Sequence, residues 1–155
     1  MPDDSKLMKW GVLIAAGIII IRIFLEQVGA PEGLAFLLGV AWLYFILPVL
    51  FALCIRAKNA ASPFSRLFKD VVLFAVYTRL MVMATYMLAY VFSWPAQRFA
   101  YPGGNVGGNV GFWTGILFIP VRNLAIWIVM ATIIGMILGS ITLLLRHAPS
   151  AGAEA

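Results

Sequence analysis

Four stretches of the chain stay apolar for too long to belong to a water-soluble fold. They run from Trp10 to Ala30, from Leu34 to Ile55 without a single charge, from about Val71 to Trp94, and from Gly111 to Leu145. A helix of about 20 apolar residues crosses the hydrocarbon core of a bilayer, and it satisfies its own backbone hydrogen bonds on the way. The pattern predicts an all-α polytopic membrane protein, a single transmembrane domain over 1–155. Its bundle holds about four helices, near 9–30, 34–55, 69–94 and 120–145.

Proline and glycine mark the joints. Gly29, Pro31 and Gly33 punctuate the end of the first run. Pro48 lies inside the second and predicts a kink there. Pro95 closes the third. The fourth stretch would be roughly 52 Å long as one straight helix, well beyond the hydrocarbon core of about 30 Å. Pro120 divides it, so the main helix is expected from Pro120 onward, with 112–119 as an interfacial or re-entrant piece. A strongly tilted, kinked single helix is the alternative. The first run reads as a retained helix rather than a signal peptide, because Arg22 interrupts it and a cut after Ala30 would put Pro31 next.

Between the third and fourth runs, Gly-Gly-Asn-Val occurs twice in tandem (103–106 and 107–110). The expectation is a flexible loop whose glycines and asparagines supply positive φ. An anion-binding backbone nest is the sharper alternative. The tail 148–155 reads as disordered.

Composition agrees with the pattern. Hydrophobic residues make up 63% of the chain and charged residues 11%, against roughly 25% charged in soluble domains. The net charge of +5 does not point to nucleic acid, because no basic–aromatic stacking platform is present. One cysteine and one histidine cannot build a disulfide, a zinc cluster or a bis-histidine haem within one chain. No metal and no cofactor is expected. Methionine and aromatic content would also suit a flat apolar ligand such as a quinone, or simply packed and lipid-facing surfaces.

The excess charge instead sets an orientation. Lys6, Lys9, Arg56, Lys58, Arg66, Lys69 and Arg146 flank one end of the apolar runs; the other end holds Arg98 and Glu32. The positive-inside rule then places both termini in the cytoplasm. Short loops without a eukaryotic targeting signal suggest a prokaryotic inner membrane.

Four charges fall inside apolar runs: Arg22, Glu26, Arg79 and Arg122. A charge at the bilayer centre costs at least about 2.5 kcal/mol, so each needs protein, water or a partner. Arg22 and Glu26 have the i,i+4 spacing of an ion pair. Arg122 lies near a helix end, where its side chain can reach the headgroups. Arg79, roughly 15 Å beyond Lys69, is the deepest.

Helical periodicity puts Ala75, Arg79, Met83, Tyr86 and Tyr90 on one face of the third helix, and Gly11, Ala15, Ile18, Arg22 and Glu26 on one face of the first. The fourth carries Ala125, Thr132, Gly135 and Gly139, a small-residue face suited to close helix packing. If these faces converge, Arg79, Arg22 and Arg122, with Tyr86 and Tyr90, would offer a site short of negative charge. Guanidinium groups pair well with phosphate and carboxylate.

Two functions follow. One is a small non-catalytic subunit or scaffold of a larger membrane complex, partnered by other membrane subunits or by itself. The other is a binder or carrier of an anionic membrane lipid or small amphiphile. An enzyme is disfavoured, because Asp70 stands alone at the inner boundary and Glu26 is expected to be neutralised by Arg22. The size suits several four-helix membrane families, but none of their motifs is present, and size alone argues for nothing.

Overall fold

A computed structural model describes residues 4–145, and all regular secondary structure there is helical. The elements are α1 (Asp4–Gln27), α2 (Glu32–Leu37), a 3-10 turn (Val40–Trp42), α3 (Leu43–Ala57), α4 (Pro63–Phe92), a second 3-10 turn (Gln97–Phe99), a π turn (Thr114–Phe118) and α5 (Ile119–Leu144). Among the described residues four helical segments are long and apolar enough to cross a membrane: Ser5–Gln27, Glu32–Ala57, Pro63–Phe92 and Thr114–Leu144. The expectations for Arg146, His147 and the tail 148–155 lie outside the described residues.

The surface explains why such a chain needs hydrocarbon. Ile20, Phe24 and Phe92 are each about two-thirds exposed, and apolar side chains of this size cover every helix. Contiguous apolar surface on this scale is not compatible with water.

α3, α4 and α5 pack against one another, and α1 lies across α3 and α4. The core between them runs from Leu67, Phe51 and Ile55 at one end, through Phe74, Ala75 and Leu47, to Ile19, Val40 and Tyr44. Glycines set the spacing. A Cβ on Gly135 would sit 2.6 Å from Val71 and 3.0 Å from the Pro48 ring, and one on Gly139 would sit 2.6 Å from Leu67. The small-residue face of α5 is therefore used inside the chain, against α3 and α4. Ala125, at its upper end, is exposed, and Thr132 is half-buried.

Helix ends follow local chemistry. Pro63 opens α4 at its first turn, where its missing N–H is no loss. α1 ends at Gly29 with φ 75°, its reversal closed by Ala30 N–H to Leu25 O at 2.9 Å. α4 ends the same way at Ser93, φ 50°, with Trp94 N–H to Ala89 O at 3.0 Å. Both are the 6→1 closure of a left-handed C-cap.

Two joints differ from expectation. The second apolar run, expected as one helix, is interrupted at Leu38–Gly39, where Gly39 is extended (φ −93°, ψ 138°), while Pro48 lies inside α3. No proline or charge marks that break. Residues 112–119 are not a separate re-entrant piece: the π turn Thr114–Phe118 feeds directly into α5. Pro120 accounts for the widened turn, because a proline ring collides with the carbonyl four residues before it and donates no bond.

Candidate functional site

The polar interior gathers at the end of the bundle away from the N-terminus. Glu26, in the last turn of α1, receives two guanidinium groups. Arg22 Nε donates to Oε1 at 2.9 Å, and Arg98 Nε donates to Oε2 at 2.9 Å. The Glu26 side chain is 8% exposed, so the pair is largely withdrawn from solvent. Arg98 reaches it from the turn after α4, lying over the Phe99 ring at 4.2 Å. Burial pushes the Arg98 guanidinium down from its ordinary value, and the Glu26 carboxylate opposes that shift. Beside them the Gln97 amide abuts the Glu32 carboxylate.

Arg79 is held differently. It is 8% exposed, and among the described residues no carboxylate lies within ion-pair distance of it. Its guanidinium carbon sits 4.4 Å from the centre of the Trp127 ring and 5.0 Å from that of Tyr44. Ring faces attract a cation, more strongly where water is excluded. Tyr44 is fixed in turn by Thr78 at 2.7 Å. Thr78 commits its one hydrogen to Phe74 O at 2.8 Å, so Tyr44 is the donor of that pair. Arg79 Nε and Arg98 Nη2 are buried without a hydrogen-bond partner.

Arg22, Arg79 and Arg98 line one cavity of about 420 Å³, the size range of small-molecule sites. The rest of its wall is mainly apolar and aromatic, with Trp42, Phe45, Tyr86, Met83, Leu124 and Trp127, plus the amide of Asn123. The wall holds these three guanidinium groups and, among the described residues, no carboxylate; Glu26, which pairs with two of them, lies outside it. The break in the second span contributes Gly39, Val40, Ala41 and Trp42. Irregular backbone at membrane depth is tolerated where it lines a cavity.

The loop 93–113 holds this end together. Asn105, fully buried, donates through Nδ2 to Tyr86 O at 2.7 Å and to Gly115 O at 2.8 Å, tying α4 to the π turn. Gly104 presses on the Phe99 backbone so closely that a Cβ would sit 2.1 Å from it. The tandem repeat is thus two different things: Asn105 is an internal clamp and Asn109 is exposed. Neither asparagine adopts positive φ; among the described non-glycine residues that conformation falls to Asn59 and Ser93.

Of the residues singled out from sequence, Arg79, Arg22 and Tyr86 meet at the cavity, and Arg22 pairs with Glu26. Arg122 is exposed on α5 and stands apart. Tyr90 lies a turn beyond, its hydroxyl donating to Val110 O at 3.3 Å and its ring on Phe112. The third arginine of the wall is Arg98, which periodicity could not select because it follows the helix. Trp127 and Tyr44, the ring partners of Arg79, carried no polar signal at all.

The chain matches no family model, no curated protein and no solved structure.

Proposed function

We propose that this protein binds an anionic amphiphile within the membrane, its anionic group held by Arg79, Arg22 and Arg98 and its apolar body by the surrounding rings. One observation carries the reading: Arg79 is buried in the wall of a cavity of net positive charge, faces rings rather than a carboxylate, and keeps a hydrogen-bond donor unused. The rings offset the cost of burying the guanidinium, but its charge and its free N–H groups still favour a counter-charge with acceptor oxygens. A phosphate or carboxylate supplies both. The interrupted second span supports the same reading, since broken helices at membrane depth recur at ligand sites.

In this proposal the chain sits with both termini in the cytoplasm, following the basic residues at Lys6, Lys9, Arg56, Lys58, Arg66 and Lys69. The cavity then lies in the outer half of a prokaryotic inner membrane. The test is native mass spectrometry of the full chain released from mild detergent. The wild type should retain an anionic adduct and Arg79→Gln should lose it. An adduct held equally by both proteins contradicts the proposal.

Membership of a larger membrane complex is the second reading. Its support is the small amount of chain outside the four spans, with connections at 28–31, 58–62 and 93–113. An acidic residue of a partner would then meet Arg79. The close-packing face that pointed to a partner is used internally at Gly135 and Gly139, which weakens this reading. Co-migration with other polypeptides on a native gel would support it; a discrete monomer would count against it.

A further inference from the structure

We infer that the ligand of this cavity is an anionic lipid that enters sideways from the bilayer, between α3 and α5, and not an anion arriving from water. The inference rests on the anionic-site reading above and adds the source of the ligand and its route.

The exposure of the wall shows where the cavity opens. Its buried members include Ile19, Val40 and Arg79, each at most 8% exposed. Three members exceed a third: Trp42 at 51%, Phe45 at 45% and Trp127 at 42%. All three are aromatic. Trp42 and Phe45 belong to the span Glu32–Ala57, and Trp127 belongs to the span Thr114–Leu144. The opening therefore lies within two membrane-length apolar segments and faces the side of the bundle.

The floor of the opening is equally defined. α3 and α5 close on each other at Pro48 and Gly135, where an added Cβ would meet the proline ring at 3.0 Å. One turn above Pro48 on α3, and two turns above Gly135 on α5, come Phe45 and Trp127, and there the cavity separates the helices. The break at Leu38–Gly39 interrupts the second helix just beyond that point.

At the α1 end of the cavity stands an ion-pair bridge. Glu26 bridges Arg22 and Arg98 with both of its oxygens. Beyond that bridge lies a second pocket, of about 520 Å³, which shares Arg22 and Arg98 with the first and is lined also by Glu26, Glu32 and Gln97. With two guanidinium groups and two carboxylates this second pocket has no net charge, so it attracts an anion less than the first, whose wall holds three guanidinium groups and no carboxylate. An anionic headgroup approaching from the side passes only rings. It meets Arg79 first, because Trp127 at the opening is also the ring 4.4 Å from that guanidinium. Arg98, which also lines the cavity, keeps a second buried donor unused.

The test uses the full chain in phosphatidylcholine nanodiscs doped with phosphatidylglycerol that carries a photoreactive group on one acyl chain. Glycerol phosphate and inorganic phosphate serve as water-borne competitors. Photolabelling should concentrate on 39–45 and 120–127. It should fall about tenfold in Arg79→Gln and in Arg98→Gln, the loss expected from one charge-assisted contact. Labelling at Ile20 and Phe24, on the outside of α1, should not change, which also reports that both variants fold and insert. The soluble anions should fail to compete. If glycerol phosphate displaces the lipid, or binds alone in an Arg79-dependent manner, the anion site stands and the lateral route falls. If labelling is uniform around the bundle and insensitive to both variants, and neither soluble anion binds, the anion site falls as well.

Discussion

Replacing Arg79 by methionine separates a ligand-binding role from a structural one. Methionine keeps an unbranched apolar stem and removes the guanidinium with its charge. In the wild type, burying the guanidinium without a carboxylate partner costs at least about 2.5 kcal/mol. The two ring contacts, at 4.4 and 5.0 Å, return about 1–2 kcal/mol each in a dry site. The terms nearly cancel. After complete delipidation, Arg79→Met should therefore lie within about 1 kcal/mol of wild type, which for a chain of this size is a shift in Tm of less than about 4 °C. Had Arg79 been one half of a buried ion pair, its loss would cost about 3–5 kcal/mol and roughly 6–20 °C. Adding anionic lipid at about 100 times its Kd should then stabilise the wild type by about 2.7 kcal/mol and the variant far less. The assay is thermal unfolding in detergent, followed by tryptophan fluorescence with and without lipid. A collapse of more than about 10 °C without lipid would refute the reasoning, as would an undiminished lipid shift in the variant.

Three further outcomes are expected. Glu26→Gln leaves two buried guanidinium groups short of charge and should cost about 2–3 kcal/mol; combined with Arg98→Gln in a double-mutant cycle, the coupling should be about 1–2 kcal/mol, and additivity would remove the bridge from the account. Gly135→Ala, pressed against the rigid Pro48 ring and the branched Val71, should lose about 1–3 kcal/mol. Gly139→Ala, whose Cβ would meet the fully buried Leu67 side chain at 2.6 Å, should also lose about 1–3 kcal/mol, and wild-type stability of either variant in chemical denaturation would contradict this packing. Asn105→Ala removes two side-chain bonds at 2.7 and 2.8 Å; it should cost about 1–3 kcal/mol and speed amide hydrogen exchange across 100–115, whereas unchanged exchange would show that the loop does not depend on this clamp.

Much of the architecture was legible in the sequence because hydrocarbon leaves few alternatives to long apolar helices. Lengths, the pairing of Arg22 with Glu26 and the place of Arg79 on an inward face of α4 all follow from spacing along a helix. What spacing could not give were the joints and the partners across them. Nothing in the charge-free run Leu34–Ile55 distinguished Gly39, which breaks it, from Pro48, which does not. Arg122 lies on α5 as periodicity allows, but on the exposed side, because four apolar faces of similar strength leave a helix's rotation to packing. Arg98 reaches Glu26 only because Ser93 takes a left-handed turn and Asn105 folds the loop inward, both tertiary outcomes. The two copies of Gly-Gly-Asn-Val are identical in sequence, and only their surroundings make one asparagine a clamp and leave the other on the surface.

The most direct test is an experimental density map of the protein extracted with its native lipid. Clear density for a phosphate or carboxylate within about 3 Å of Arg79 and Arg98, with a tail leaving past Phe45 and Trp127, is the expected result. Arg79 Nε bonded instead to a group of the protein itself, in a site closed by side chains, would contradict it.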